Sequence, residues 1–403
     1  MSTILLVLAA AGLAGAAFLT LNTILNLIVF RGLKTGPANR GKPLVSLLIP
    51  ARNEAARIAP LIRSLTAQSW ENLEIIVLDD NSTDGTSDVV LKLARGSNIE
   101  KRLRVITGEA LPEGWTGKAW ACHQLSQSAA GEWLLFTDAD TDHASNTISD
   151  LVHTAEQTGA GLLSAWPQQI TGTWSERLVI PLVYLLIVGF LPMWMLHLIQ
   201  KSPALSRRIP ASILATFGAA NGQILLFRRA TYVACGGHEA VRDHLVEDVA
   251  LGRRVAGLTA QGHRLVNCDG SRHIRCRMYE NFAQLWEGFS KNLRAAFDDA
   301  LGMFIFSGVF QFVSCILPFF LIFVPGWPGR VAMLAVLLVI GTRALHAWRF
   351  RTTWWSVIFH VPAHLLALSI AMNSWMRTGG PGVTWKGRIY RGRAAESPTR
   401  KTS

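Results

Sequence analysis

The sequence predicts an α/β domain built on a mainly parallel sheet, with apolar helices on both sides of it in the chain. Between residues 44 and 165, short apolar runs alternate with amphipathic stretches, which is the pattern of a sheet whose two faces are covered by helices. Half of the 403 residues are hydrophobic, and 16% are charged. Together with several long uncharged windows, this composition favours one domain plus membrane segments over two soluble domains.

Five apolar runs in the first half of the chain are predicted as strands. They are residues 44–49, 73–78, 103–106, 133–137 and 161–165. The stretches between them are predicted as helices, at residues 55–68, 83–95, 118–129 and 145–158. Neither a P-loop nor a GxGxxG turn follows the first strand, so a Walker-type NTPase and a nicotinamide-binding fold are not supported.

Uncharged windows occur at residues 4–30, 178–199, 303–324, 331–340 and 354–372. The first is predicted as an anchor, because it lacks a basic region before it and is too long for a signal-peptide core. The second window lies between Asp140 and Asp248, and the site considered below requires both carboxylates in the same compartment. It is therefore predicted as an interfacial or re-entrant helix near 175–199. If the C-terminal tail is cytosolic, an even number of the last three windows crosses the membrane, and residues 331–340 form the shortest of them.

The net charge of +12 is concentrated beside the apolar windows. Four basic residues between positions 31 and 42 and a net +6 in residues 374–403 account for ten of these charges. This is the positive-inside pattern, and it predicts a multi-pass protein of the inner membrane with a cytoplasmic catalytic domain. A nucleic-acid partner would require a basic stripe on the folded domain, so it is not expected. The predicted organisation is an anchor at 1–33, a catalytic domain at 44–295, a membrane region at 302–373 and a basic tail at 374–403.

Polar clusters follow three of the predicted strands, where parallel sheets bind their ligands. They are Pro50-Ala51-Arg52-Asn53-Glu54, the run from Asp79 to Gly85, and Asp138-Ala139-Asp140. If the end of the fourth strand stays extended, Asp138 and Asp140 project from the same face. Two adjacent carboxylates suit Mg²⁺ or Mn²⁺ held together with substrate phosphates. The alternative is a polar turn, in which Asp is common.

As an ordered set, these clusters resemble those of the family-2 glycosyltransferases with the GT-A fold. Further matching segments are Gly117-Lys118, Asn221-Gly222-Gln223 with Arg228-Arg229, Gly236-Gly237 and Glu247-Asp248. Within the family, the chain looks most like membrane enzymes that glycosylate carotenoids and related polyisoprenoid lipids. That narrower likeness rests on Gly114-Trp115-Thr116, Arg277-Met278-Tyr279, the segment 286–292 and Trp385-Lys386-Gly387-Arg388.

The resemblance implies a UDP-sugar donor and a role for each matching residue. Asp140 is expected to bind the metal directly, and Asp138 to hold the ribose or a metal-bound water. Pro50, Arg52 and Glu54 are expected to line the nucleotide, Asp80 to contact the uracil, and Lys118 to lie near the diphosphate. Asp248 is expected to act as general base, since an acceptor hydroxyl needs one within hydrogen-bond reach, and a single displacement implies inversion.

Some assignments stay open at this level. Lys118 is also consistent with a solvent-exposed lysine at a helix start, and Asp248 and Glu247 with acidic residues in a first helical turn. His143 and His273 are consistent either with ligand contacts or with packing. The expected acceptor is a hydroxyl or carboxyl of a carotenoid-like lipid. Alternatives are a hopanoid, sphingolipid or glycerolipid glycosyltransferase, a processive polysaccharide synthase, whose Gln-x-x-Arg-Trp motif is missing here, or a non-catalytic membrane protein.

Overall fold

The computed structural model describes residues 2–36, 43–297 and 300–378, and three short strands between residues 383 and 396. Arg40, Lys42 and half of the predicted basic tail lie outside the described residues. The contacts divide the chain into two compact units. The helical unit comprises Met1–Val29, Ile170–Trp194 and Tyr279–Val383, and the sheet unit comprises Phe30–Gln169, Met195–Met278 and Thr384–Ser403. The domain limits expected from the sequence stay predictions.

The sheet unit contains a seven-stranded sheet in the order β3-β2-β1-β4-β8-β6-β9. All neighbouring pairs are parallel except those of β8, which runs antiparallel to β4 and β6. A second sheet has three strands, in the order β5-β10-β7. The strands are β1 Val45–Ala51, β2 Leu73–Asp79, β3 Leu103–Thr107, β4 Trp133–Thr137, β5 Thr141–His143, β6 Leu162–Trp166, β7 Gln168–Gln169, β8 Ile224–Arg228, β9 Leu265–Asp269 and β10 Ile274–Cys276. The mainly parallel sheet is confirmed.

The helices of both units follow in chain order. They are α1 Ser2–Val29, α2 Ala59–Thr66, α3 Thr86–Ala94, α4 Gly117–Ser128, α5 Thr147–Thr158, α6 Trp174–Tyr184, α7 Met193–Lys201, α8 Pro203–Arg208, α9 Ala211–Thr216, α10 Arg229–Ala234, α11 Glu247–Gly257, α12 Phe282–Ala296, α13 Leu301–Gln311, α14 Pro318–Leu321, α15 Trp327–Arg349, α16 Trp355–Ile358 and α17 His360–Thr378. The predicted helix 55–68 is shorter than expected. Pro60 stands in its first turn, and the backbone N–H groups of Arg57 and Ile58 close a turn onto the Glu54 carbonyl instead.

Alternate residues of the central strands feed two separate cores. Leu47 and Ile49 of β1 pack on one face with α2 and α5, whereas Leu48 packs on the other with α4 and α11. All three side chains are fully buried. Covering both faces explains why these strands read as continuous apolar runs rather than as alternating ones.

Four helical segments among the described residues are long and apolar enough to cross a membrane, by length and composition only. They are Thr3–Val29, Trp174–Lys201, Leu301–Leu321 and Trp327–Arg349. The short window 331–340 is thus part of a 23-residue helix. The window 354–372 is not among the four; within it, α16 ends at Ile358 and a new helix starts at His360.

The segment Trp174–Lys201 is interrupted in its middle, within the helical unit. A π-helical turn spans Leu185–Gly189, and α7 starts only at Met193. Two α1 side chains bind the carbonyls at this break: Asn22 Nδ2 donates to Gly189 O over 2.8 Å, and Asn26 Nδ2 donates to Val188 O and Leu191 O, each over 2.7 Å. Irregular backbone in apolar surroundings requires such donors.

Candidate active site

The loops after β1 and β2 are joined by hydrogen bonds at the carboxyl edge of the sheet. The Asn53 amide donates to Ser82 Oγ over 2.9 Å, and the Glu54 amide donates to Thr86 Oγ1 over the same distance. Asn53 has a φ of 52°, in the left-handed region that Asn tolerates better than most residues. The first two predicted polar clusters therefore form one rigid rim.

Arg52 and Asp80 contact each other on this rim. Arg52 Nη1 donates to the Asp80 carbonyl over 2.6 Å and lies 3.8 Å from its carboxylate Oδ1. Asp80 is only 6% exposed. The Arg52 guanidinium thus orients the buried Asp80 carboxylate. A carboxylate held in this way is suited to accept a hydrogen bond from a planar ligand.

Asp138-Ala139-Asp140 lies in a turn between β4 and β5, so the prediction of an extended strand end is wrong. β4 ends at Thr137, and β5 already begins at Thr141. The two acids are nevertheless only half-buried while Ala139 is buried. Asp138 Oδ1 is 2.8 Å from Lys118 Nζ, and Asp140 Oδ1 accepts a hydrogen bond from Cys276 Sγ over 3.5 Å.

Lys118 lies in the first turn of α4 and bridges two carboxylates. Its Nζ is 2.8 Å from Asp138 Oδ1 and 3.0 Å from Glu247 Oε1. Burial alone would lower the pKa of Lys118, but Asp138, Glu247 and Asp248 outweigh it and hold that pKa well above its ordinary value. The side chain is 38% exposed, and its ammonium is paired with two carboxylates. It is not the solvent-directed lysine of the alternative interpretation.

Asp248, in the first turn of α11, is held by two backbone donors. Gly222 N–H donates to Oδ2 over 2.6 Å, and Val249 N–H donates to Oδ1 over 2.8 Å. A Cβ on residue 222 would lie 2.9 Å from Oδ2, so only glycine allows this approach. Burial, followed by the charge of Glu247, raises the pKa of Asp248 to about 6, against the lowering effect of Lys118 and the two backbone bonds.

Glu247 has a different role from the one expected of a first-turn acid. It lies in the first turn of α11, but it is buried at 4% exposure with its carboxylate on Lys118. Asp138, Lys118, Glu247 and Asp248 therefore form a continuous charged row. Three carboxylates, those of Asp138, Glu247 and Asp248, thus act on one ammonium, and a local excess of negative charge favours a bound cation.

The residues present fit a hard divalent ion that is completed by its substrate. Within the described ranges, no three or more His, Cys, Asp or Glu side chains are grouped so that they could hold a metal alone. Asp138 and Asp140 supply carboxylate oxygens at a half-open edge, and Mg²⁺ or Mn²⁺ is commonly held by one or two carboxylates plus phosphates. Asp138 is paired with Lys118, and Asp140 accepts a hydrogen bond from Cys276 Sγ, so both carboxylates are held at this edge.

Both histidines that the sequence left open have structural contacts in the sheet unit. His143 Nε2 lies 3.2 Å from Thr137 Oγ1 and 3.1 Å from Thr141 Oγ1, and burial lowers its pKa to about 4. His273 Nε2 is 2.9 Å from the buried Asp150 Oδ2. These contacts favour packing over ligand binding.

Gln223 and Cys276 are the residues near the carboxylates that sequence reasoning did not assign to the site. Gln223 belongs to a motif that the resemblance had singled out, so a signal for it existed. Cys276 is one of five cysteines, all of which are free and buried, and no motif in the sequence sets it apart from the others. Only the pairing of β10 with β5 brings it beside Asp140.

Comparison with known proteins gives the following likenesses. Residues 46–220 match the family described as "Glycosyl transferase family 2". The chain is 28% identical over 368 residues to the 4,4'-diaponeurosporenoate glycosyltransferase of Staphylococcus aureus (strain N315), covering 89% of this chain and 91% of the relative. The protein of the same name from Staphylococcus haemolyticus (strain JCSC1435) is 26% identical over 280 residues, 68% of each chain.

A solved structure extends the likeness to the fold. The mannosyltransferase PcManGT from Pyrobaculum calidifontis, in complex with GDP-Man and Mn²⁺, superimposes with a TM-score of 0.53 at 18% identity. The match covers 93% of this chain and 99% of that chain. At this identity, the likeness concerns the fold alone.

Proposed function

Residues 46–220 form a glycosyl transferase family 2 domain with the GT-A fold, and from this premise we propose that the protein is a membrane-bound, inverting hexosyltransferase. The donor is a UDP-sugar, and the acceptor is a hydroxyl or carboxyl of a hydrophobic, carotenoid-like lipid. The observation that carries the proposal is the charged row from Asp138 through Lys118 to Asp248, at the sheet edge where Asp80 is also buried.

The donor half of the site follows from the loops after β1, β2 and β4. Pro50, Arg52 and Glu54 line the nucleotide, Asp80 accepts a hydrogen bond from the uracil, and Lys118 faces the diphosphate as a point charge. Asp140 binds Mg²⁺ or Mn²⁺, and Asp138 holds the ribose or a water on the ion. When bound, the ion acts as a Lewis acid that neutralises charge on the leaving diphosphate.

The acceptor half depends on Asp248. Its carboxylate takes the proton of the attacking acceptor hydroxyl while that oxygen bonds to the anomeric carbon and the bond to UDP breaks. A base with a pKa of about 6 is largely deprotonated at neutral pH, yet it is more basic than an ordinary Asp. A carboxylate acceptor would need no base, so the pH dependence of transfer depends on the acceptor class.

The lipid acceptor is supported by the relative's name and by the course of the chain. Residues on both sides of the segment Trp174–Lys201 belong to the same seven-stranded sheet: β6 precedes it, and β8 follows it. A segment that leaves and re-enters one domain does not cross the bilayer once. The break after Gly189 supports a re-entrant or interfacial course, which brings the membrane surface close to the catalytic domain.

The remaining candidate spans fit this arrangement. Leu301–Leu321 and Trp327–Arg349 would make two crossings, and an even number of crossings returns the chain to the side on which residue 300 lies. By the positive-inside rule, that side is the cytoplasm of a cell with an inner membrane. UDP-sugars would then reach the site directly from the cytosol.

The proposal is tested with the full chain in detergent or nanodiscs. UDP release from a UDP-hexose is expected only with a divalent ion and a lipid extract present, and Asp140→Asn or Asp248→Asn should abolish it. Asp88→Asn is the matched control, because Asp88 is an exposed carboxylate on α3. Retained turnover in either site variant would refute its assigned role.

Mass spectrometry identifies the acceptor. Lipids from cells with and without the gene should differ by a hexose-shifted pigment or polyisoprenoid. A hexose on a hopanoid, sphingolipid or glycerolipid would move the acceptor to the alternative class, and a sugar polymer would indicate a processive synthase.

A further inference from the structure

A chain of buried hydrogen bonds ends on Asp140. Gln169 Nε2 donates to Gln223 Oε1 over 2.7 Å, and Gln223 Nε2 donates to Cys276 Sγ over 2.8 Å. Cys276 Sγ then donates to Asp140 Oδ1 over 3.5 Å. Each donor points toward the carboxylate, so the chain has one direction and its end is an acceptor.

The middle of this chain is fully shielded from solvent. Gln223 is 4% exposed and Cys276 is 1% exposed. Water therefore does not compete for these bonds, and a buried amide or thiol loses its partner at a cost when one link is removed. The carboxylate of Asp140, by contrast, lies at the half-open edge. The amide and the thiol are thus held in the core, and the hydrogen-bond chain ends on a half-buried carboxylate.

The same backbone segment also contacts the other acids of the site. The Asp138 amide donates to the Gln223 carbonyl over 3.3 Å, and Gly222 N–H donates to Asp248 Oδ2 over 2.6 Å. Residues 222 and 223 therefore connect the metal-side acids with the base. A displacement of this segment would move both halves of the site together.

We propose that Gln223 and Cys276 are positioning residues that fix the orientation of the Asp140 carboxylate for a divalent cation. This inference rests on the proposed function, because it assumes that Asp140 binds the ion. Outer hydrogen-bond partners of metal ligands typically change metal affinity by about 10–100-fold when they are removed. A thiol is a weak donor, so the effect of losing it is expected at the lower end, about tenfold.

The test measures Mn²⁺ binding to the full chain in detergent with UDP present. Binding is detected as the loss of the electron paramagnetic resonance signal of free Mn²⁺. Cys276→Ala is expected to raise the dissociation constant for Mn²⁺ about tenfold, and Cys276→Ser, which keeps an O–H donor, should recover most of the loss. Gln223→Met, which keeps the side-chain length but removes the amide, should weaken Mn²⁺ binding in the same direction.

Cys268→Ala is the matched control. Cys268 is equally buried on β9, at 3% exposure, and its Sγ contacts Ser164 O rather than Asp140. Its removal should leave Mn²⁺ affinity unchanged. UDP affinity without metal should be the same in all variants, since the chain contacts the metal-side carboxylate and not the nucleotide loops.

Two results would overturn the inference. One is unchanged Mn²⁺ affinity in Cys276→Ala, and the other is equal losses in Cys276→Ala and Cys268→Ala, which would assign the effect to packing. Failure of the proposed function has a separate signature. If the wild type binds no Mn²⁺ with UDP, or Asp140→Asn binds it as well as the wild type, the metal role of Asp140 is refuted, and the positioning role with it.

Discussion

Gly222→Ala isolates the positioning of the base from the rest of the site. The added methyl group would lie 2.9 Å from Asp248 Oδ2, 3.1 Å from its Cβ and 3.2 Å from its Cγ. Because real Cβ contacts are not this short, the loop or the carboxylate has to move. The movement lengthens or breaks the 2.6 Å bond from Gly222 N–H to Oδ2.

The size of the effect follows from that bond. A hydrogen bond to a charged group contributes about 1.5–3 kcal/mol, and about 1.4 kcal/mol corresponds to a factor of ten in rate. If this orientation energy is lost in the transition state, kcat/KM should fall roughly tenfold to a hundredfold. UDP affinity should not change, because Asp248 does not belong to the nucleotide loops.

The assay is the initial rate of UDP release, combined with calorimetric UDP binding and thermal unfolding in the same detergent. Gly32→Ala serves as the control, since a Cβ there would meet only Asp269 O at 3.9 Å. Activity of Gly222→Ala within twofold of the wild type would refute the reasoning. So would a parallel loss of UDP binding and of the unfolding temperature, because the defect would then be one of folding.

Three further predictions address the pH dependence and the stability. With a hydroxyl acceptor, kcat/KM should fall as the pH drops through about 6, where Asp248 becomes protonated. Glu247→Gln removes a charge that raises the pKa of Asp248, so the fall in kcat/KM should occur at lower pH than in the wild type. A fall at higher pH would contradict the assignment of Asp248 as the base. Asp150→Ala leaves His273 Nε2 and two other donors without their acceptor. It should lower the free energy of unfolding, measured by denaturant titration, by about 3 kcal/mol. UDP binding should persist at denaturant concentrations below the unfolding transition. Asn26→Leu frees the Val188 and Leu191 carbonyls and should lower the thermal unfolding midpoint in detergent without changing the pH profile; an unchanged midpoint would show that these carbonyls find other donors.

The strands were the most predictable part of the fold. β1, β2 and β4 are buried on both faces, so their hydrophobic runs are long and uninterrupted, and their bounds lie close to the predicted ones. Short elements were less predictable. β10 has three residues, too few for a period to appear, and its place beside β5 depends on chain segments far apart in sequence.

The site was predictable in its residue types and less so in its geometry. The resemblance to an ordered set of motifs predicted Asp80, Asp138, Asp140 and Asp248 as site residues, and the structure places Asp138 and Asp248 around Lys118. The sequence did not indicate that Asp138-Ala139-Asp140 would form a turn, because the same residues suit a turn and a strand end. The contact of Glu247 with Lys118 was also not predicted, since an acid in a first helical turn is already explained by the helix dipole.

Hydrophobic periodicity and strand-end polarity are local properties, so the sequence was enough to predict the parallel α/β domain and the apolar segments, while the acidic site residues were predicted from the family resemblance. The tertiary structure decided how those residues meet. It brings the Gly222 amide onto Asp248, the Lys118 ammonium between Asp138 and Glu247, and the Cys276 thiol onto Asp140. Each contact joins residues that are distant in the chain, and its distance and burial depend on how the sheet and its covering helices pack.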